Sequence, residues 1–397
     1  MGVEYLFASA GVVGGPLATA RDSFVATRGI VCTGVSGAGA VQQGNSASWH
    51  IFQDSGDYLD MRFANFYVVA GSPEQGPGAD TTIEAFIEYP LGSARQRLTF
   101  GGQNQGVIPN GGMLGIDRKA ISYRAGEPFR IWTYRTGPSG LVYFNRSAWV
   151  NGEVADFATS STNVASAGTI PTTSGLNNVY GPIEITGLTR KRTVAIIGDS
   201  IDFGLNIKAN TYRGDTGVIA RSIGKNFAYS KLAISSEQAQ QFLASHDNRL
   251  SVALKASDVF VGYGTNDAAA GRTAAQINAD TLTIGNYFPS TTNLYLRTLL
   301  PRATSTDNFA TDANQTIAAY TSVLEAVNGA RKNLPAPFKA CHDVFTLMSN
   351  MSLSGSYSNK WRVDAASIGF FMTDDGIHPS QRGDEYIEQS GLIRLLP

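Results

Sequence analysis

The sequence predicts a two-part chain: an all-β sandwich over residues 1–188, then an α/β unit with a parallel sheet over residues 189–397. Two patterns carry this reading. In the first half apolar residues alternate, as in "TTIEAFIEY", where Ile83, Ala85, Ile87 and Tyr89 point one way and Glu84 and Glu88 the other, the signature of a half-buried strand. After Lys191 the alternation gives way to fully apolar runs such as "TVAII" and "DVFVGYG", which suit strands buried on both faces. Composition agrees: 43 Gly, 10 % aromatics and only 16 % charged residues suit turn-rich β structure better than a helical array. At 397 residues the chain is long enough for two cores.

At the N-terminus, "LFASAGVVGGPLATA" has the outline of a signal-peptide apolar region. Glu4 and the break at Gly14-Gly15-Pro16 count against that, and the stretch reads as a first strand and turn. Strands follow at "LDMRFANFYV", "RQRLTFGG", "PFRIWTYRT", "LVYFN" and "PIEITG", separated by Gly, Pro, Asn and Ser clusters. The polar, small-residue segment Phe157–Gly175 reads as a long loop or linker before the last strand of the first unit. In the second half "TVAII", "DVFVGYG", "NLYLRTLL" and "KACHDVF" are strands, spaced to leave room for helices. Ile317, Tyr320, Leu324 and Val327 fall on one face of a helix. Alternating buried strands and amphipathic helices imply a parallel sheet covered on both faces, with right-handed crossovers.

Charge narrows the partners. With 31 Lys+Arg against 32 Asp+Glu the net charge is −1, so no basic field invites nucleic acid and no polybasic run invites a membrane. No apolar run reaches the roughly 18 residues of a membrane span. The expected substrate is neutral, and the oligomeric state is open. Cys32 and Cys341 stand far apart, outside any CxxC or CxxxC arrangement, so they form no metal or redox motif by themselves and leave the compartment undecided. Extracellular or periplasmic action is compatible with the sequence.

In an open parallel sheet, reactive groups gather where loops leave the carboxyl ends of the strands. Three such loops carry reactive side chains: "GDS" after Ile197, "GTND" after the Asp258–Tyr263 run, and "DDGIHPS" near the C-terminus. Ser200 is the candidate nucleophile, with helix capping as the alternative role for a serine at that place. Of four histidines, His378 has a carboxylate three residues earlier, Asp375, placed to hold the imidazole in one tautomer. Gly376 permits a tight turn there and Pro379 ends it. His50 and His342 read as packed in strand surroundings, and His246 as a partner of a helix C-terminus. Asn266 offers a side-chain donor for an oxyanion, with Asp199, Gly264 and Asp267 in supporting roles. In "LAISSEQAQQFLA", Ser235 reads as a helix cap with Gln238 three residues on. That leaves the Ser236 N–H free at the first helical position, a further donor.

The order GDS, a Ser-rich strand-to-helix turn about thirty residues on, GxND, and DxxH near the C-terminus resembles the SGNH hydrolase family, also called GDSL esterases. The resemblance covers residues from about 190 to 397. It implies a flavodoxin-like three-layer α/β/α domain, a catalytic set of Ser200, His378 and Asp375, and an oxyanion hole from the N–H groups of Ser200 and Ser236 with the Asn266 side chain. No metal or organic cofactor is implied. Where the family usually has glycine this chain has Ser236, which serves as a backbone donor if its φ is negative. There is no GxSxG elbow, HExxH pair or GxxxxGK[ST] loop. The first half, through "MRFANFYV", "LTFGGQNQGVIPNGG", "YRAGEPFRIWTY" and "GPIEITG", looks like the jelly-roll-like β-sandwich that accompanies some bacterial and phage members. That likeness implies an accessory domain beside the site, with Trp132 and Trp149 as candidate sugar platforms.

The function expected from these readings is a serine esterase on short-chain acyl esters, with O-acetyl groups on carbohydrate as the leading substrate. The alternatives are a broad short-chain carboxylesterase and a glycan-binding module whose hydrolase half is inactive. Labelling of Ser200 by an organophosphonate separates the last from the other two.

Overall fold

The computed structural model describes residues 17–145, 153–170, 178–205, 214–351, 357–363 and 371–396. The N-terminal stretch weighed as a leader lies outside the described residues, as does Trp149.

Two antiparallel sheets make up most of the first half. One orders Arg21–Phe24, Glu184–Thr189, Gly56–Ala64 and Lys119–Tyr123. The other orders Val154–Ala158, Gln42–Ile51, Pro128–Gly137, Thr81–Glu88 and Gln96–Leu98. They form a sandwich because alternate residues of both face inward: Ile83, Ala85 and Ile87 meet Leu59, Met61 and Phe63 in one buried cluster. The outer face of Thr81–Glu88 is covered as well. Trp132 lies there, 5 % exposed, with the Arg95 guanidinium stacked on it at 3.3 Å and its indole N–H donating to Glu88 Oε2 at 2.6 Å. It is a core residue with a satisfied donor and not a sugar platform. The segment read as a linker, Phe157–Gly175, supplies part of the cover: its first two residues end the sheet strand Val154–Ala158, and Ala165 and Ile170 pack with Trp132.

In the second half, six parallel strands run in the order Gly29–Ile30, Ala228–Lys231, Thr193–Ile197, Asp258–Val261, Asn293–Arg297 and Phe338–His342. Strand Thr193–Ile197 shows why its apolar run is unbroken: Ala195 and Ile197 enter one core with Ala239, Phe242 and Ile284, while Val194 and Ile196 enter another with Ile219, Val344 and Ile387. Helices cover both faces, as the sequence predicts.

Two features depart from expectation. The edge strand Gly29–Ile30 comes from the first half, and Phe24, Val31, Phe66, Val68 and Ile183 share a core with the parallel sheet, so the division at residue 188 is crossed by both a strand and a core. Ile317 is not helical. It pairs with Ala303 in a hairpin, 43 % exposed, and the helix starts at Thr321, keeping Leu324 and Val327 inward. Its spacing fits a helix only if the turn at Ala318–Tyr320 is ignored. No helix among the described residues is long and apolar enough to cross a membrane.

Candidate active site

Strand Thr193–Ile197 runs into Gly198 and Asp199, and a four-residue helix, Ser200–Phe203, follows. Asp199 is extended at φ −99° and its carboxylate accepts the Ile201 N–H at 3.0 Å, so Asp199 is the cap and Ser200 the first helical residue. That relieves the Ser200 hydroxyl of capping. Ser200 Oγ lies 2.7 Å from His378 Nε2, and the residue is 5 % exposed.

The histidine is placed by its own turn. Gly376 adopts φ +76°, and a side chain there would collide with the Ala303 carbonyl. Asp375 Oδ1 accepts the N–H groups of Ile377 and His378, both at 2.8 Å, and its Oδ2 meets His378 Nδ1 at 2.7 Å. Burial works to raise the Asp375 pKa, but the imidazole and the two backbone donors prevail and hold the carboxyl well below its usual range. Asp375 is therefore the carboxylate that reaches His378.

The turn after Ala228–Lys231 is tied to the first loop, with Ile234 N–H donating to the Gly198 carbonyl at 2.9 Å. Ser236 follows with φ +66°, and the next helix begins only at Ala239, capped by Gln238 in a reciprocal pair with Gln241. Ser235 is thus no cap, and Ser236 is neither helical nor at negative φ. It holds the left-handed conformation that glycine adopts most easily. Ser235 and Gln238 mimic a capping pair, but the real one lies three residues on. Neither the Ser200 nor the Ser236 N–H has an acceptor among the described residues.

Gly264 (φ +129°) opens the GTND loop, and helix Thr265–Ala269 starts on it. Asn266, half-buried, donates from Nδ2 to the Glu237 carbonyl at 3.2 Å, which joins this loop to the Ser236 turn. Asp267 Oδ1 accepts the Ala239 N–H at 3.0 Å, and burial pushes its carboxyl up to about 6. Ser200, Ser236 and Asn266 all lie past the carboxyl ends of three adjacent parallel strands.

Beneath these loops lies a buried charge layer that sequence reasoning missed. Arg297 Nε donates to Asp202 Oδ1 at 3.0 Å and its Nη2 to Asp202 Oδ2 at 2.8 Å. Nη2 also reaches the Gly262 carbonyl at 2.9 Å and Asp199 Oδ1 at 3.4 Å. Burial pushes the Asp199 carboxyl up to about 6 against the pull of Arg297. Arg331 donates to the carbonyls of Arg297 (2.8 Å) and Tyr263 (2.5 Å). A second set joins Glu237, Arg249, Tyr263 and Glu74: Arg249 reaches Glu237 at 2.8 Å and Glu74 at 3.0 Å, and Tyr263 Oη donates to Glu237 at 2.5 Å. The signal was present in "NLYLRTLL", where one arginine inside an apolar strand calls for a buried partner.

The remaining histidines take no part. His50 is buried, hydrogen-bonded to Ser48 and the Thr27 carbonyl, and burial pushes its pKa down to about 3. His342 is buried with its pKa pushed down to about 4, and His246 Nδ1 meets the Phe242 carbonyl at 3.0 Å. Between the two halves of the chain, beside Phe203 and Ser235, is a cavity of about 230 Å3.

Solved structures similar to this chain include a member of the lipolytic G-D-S-L family from Veillonella parvula, at 18 % identity and TM-score 0.35, covering 51 % of this chain and 97 % of the other. The similarity is to G-D-S-L lipolytic proteins. Others are a possible lipase from Chitinophaga pinensis (17 %, TM-score 0.34, 50 % and 96 % covered) and a carbohydrate acetylesterase from Sinorhizobium meliloti (16 %, TM-score 0.33, 51 % and 95 % covered). No family profile and no curated protein matches the chain.

Proposed function

We propose that this chain is a serine esterase of the G-D-S-L type, acting on short-chain acyl esters. The observation that carries the reading is the line Ser200 Oγ, His378 Nε2, His378 Nδ1, Asp375 Oδ2, with 2.7 Å at each hydrogen bond. His378 takes the Ser200 proton as Oγ attacks the ester carbonyl, and gives it to the departing alcohol. Water then attacks the acyl-serine, losing a proton to His378, which passes it to Ser200 Oγ as the bond to the acyl carbon breaks and the acid is released. Asp375 keeps Nδ1 protonated and stabilises the imidazolium in each half. The Ser200 N–H and the Asn266 amide serve the oxyanion, and the Ser236 N–H joins them from the glycine-like left-handed backbone rather than from the negative φ its sequence calls for.

Two substrate readings remain within this reaction. Acetyl groups on carbohydrate follow from the family resemblance of the motifs. A broad short-chain carboxylesterase is favoured by the apolar cavity beside Phe203. Acid release from acetylated polysaccharides and from aryl acetate is the test, with Ser200→Ala as the control. Activity should fall to background in that variant, and an undiminished rate would overturn the assignment. Asn266→Ala should lower kcat on the order of 10² to 10³.

A further inference from the structure

We infer that the β half of this chain builds one wall of an acyl pocket for short aliphatic groups, so that chain-length selection resides outside the hydrolase half. The inference rests on the serine-esterase reading above.

The cavity of about 230 Å3 is lined from two sides. Phe203 and Leu205 come from the chain that leaves Ser200, and Ile234 and Ser235 from the turn that leads to Ser236. The Gly204 and Leu205 N–H groups both donate to the Ser200 carbonyl at 3.0 Å, which fixes that side relative to the hydroxyl. The facing wall is Val68, Val69 and Ala70, with Thr33 and Tyr143 at its side, all from the β half.

That wall is held in place by the fold. The chain passes from the edge strand Gly29–Ile30 straight to Thr33, whose N–H donates to the Tyr143 carbonyl at 2.8 Å, and Val68 N–H donates to the Cys32 carbonyl at 3.0 Å. Farther along, Glu74 is clamped by Arg249 Nε at 3.0 Å and by the N–H groups of Asn248 (2.8 Å) and Arg249 (3.1 Å). Residues 69–73 are therefore held at one end by the segment that follows the edge strand and at the other by Asn248 and Arg249 of the hydrolase half.

The lining sets the chemistry. Among the described residues it contains no charged side chain and no side-chain amide; the polar side-chain groups are the hydroxyls of Thr33, Tyr143 and Ser235. A sugar ring buried here would leave most of its hydroxyls unpartnered, at a cost that an alkyl chain does not incur. The volume exceeds the ~150 Å3 cavity that accepts benzene and corresponds to roughly eight water-sized groups, which suits an acyl chain of about four to six carbons.

The test is a p-nitrophenyl ester series (acetate, butyrate, hexanoate, decanoate) on the full chain, with Ala70→Phe and Val69→Trp as pocket-filling variants. Val69 is 45 % exposed, so its replacement leaves the core intact. Either variant should lower kcat/KM on hexanoate at least tenfold and leave acetate within about threefold, since one methylene in an apolar pocket is worth ~10 to 200-fold. A uniform loss along the series overturns the pocket assignment, as does a loss that tracks the size of the alcohol when the acyl group is held as acetate. If Ser200→Ala retains the wild-type rate, the esterase reading falls and takes the acyl assignment with it.

Discussion

Arg249 and Glu237 form an ion pair at 2.8 Å with side chains 0 % and 1 % exposed, one residue from the exposed turn at Ser236. The same guanidinium holds Glu74 of the β half. Arg249→Met would strand two carboxylates in the interior, and removing one partner of such a pair costs about 3 to 5 kcal/mol. Urea unfolding should show that loss, with part of it recovered when Glu74→Gln and Glu237→Gln are added. A shift below about 1 kcal/mol would mean the pair is dispensable.

Asp375→Asn tests the orienting role of the carboxylate. The amide keeps the shape but cannot favour the imidazolium, and kcat should drop on the order of 10² to 10⁴ with little change in KM. Retention of the wild-type rate would show that His378 needs no carboxylate.

At Ser236 the left-handed backbone makes a simple forecast. Ser236→Gly should raise stability by about 0.5 to 1 kcal/mol and preserve the esterase rate, because only the N–H is asked to act. Ser236→Val should lose stability and rate together. Denaturant midpoints and initial rates on an aryl ester decide it.

Stability should also depend on pH through Asp384 and Lys231. Burial pushes the Asp384 carboxyl up to about 7, against Arg221 and the Gly217 N–H. Between about pH 4 and 7 the folded chain keeps a proton that the unfolded chain has lost, so stability falls as pH rises, by up to about 1.4 kcal/mol per unit. Burial pushes Lys231 down to about 7, and from pH 7 toward about 10 the unfolded chain holds the extra proton, so its contribution rises with pH. Asp384→Asn should reduce the slope most between about pH 6 and 7, because below that range Asp199 and Asp267, both pushed up to about 6, contribute in the same sense. Melting curves at pH 5, 7 and 9 give the comparison, and an unchanged acid limb would remove Asp384 as its source.

Much of this was legible. Strand Thr193–Ile197, the turn at Ser200 and the Asp375–His378 pair announce themselves through local pattern: an apolar run, a small polar turn, a carboxylate three residues before an imidazole. What was not legible depends on distant partners. Gly29–Ile30 is too short to show a period, and only its neighbour across the sheet makes it a strand. Ser235 looked like a cap because serine followed by glutamine at three residues is a cap pattern, yet the Ile234 bond to Gly198 and the Asp267 bond to Ala239 fix where the helix begins. Arg297 finds Asp202 95 residues away and Arg249 finds Glu74 175 residues away, relations that no local window of sequence contains.

The edge strand Gly29–Ile30 bears on how the chain can be divided. Without residues before 188, strand Ala228–Lys231 would present bare N–H and C=O groups along its outer side, an open template for pairing with another molecule. A hydrolase half made alone would therefore be prone to self-association. Covering it calls for a graft of residues 26–31, from the Ala26 carbonyl that accepts the Tyr229 N–H to the Val31 N–H that donates to the Lys231 carbonyl, a far smaller piece than the whole β half.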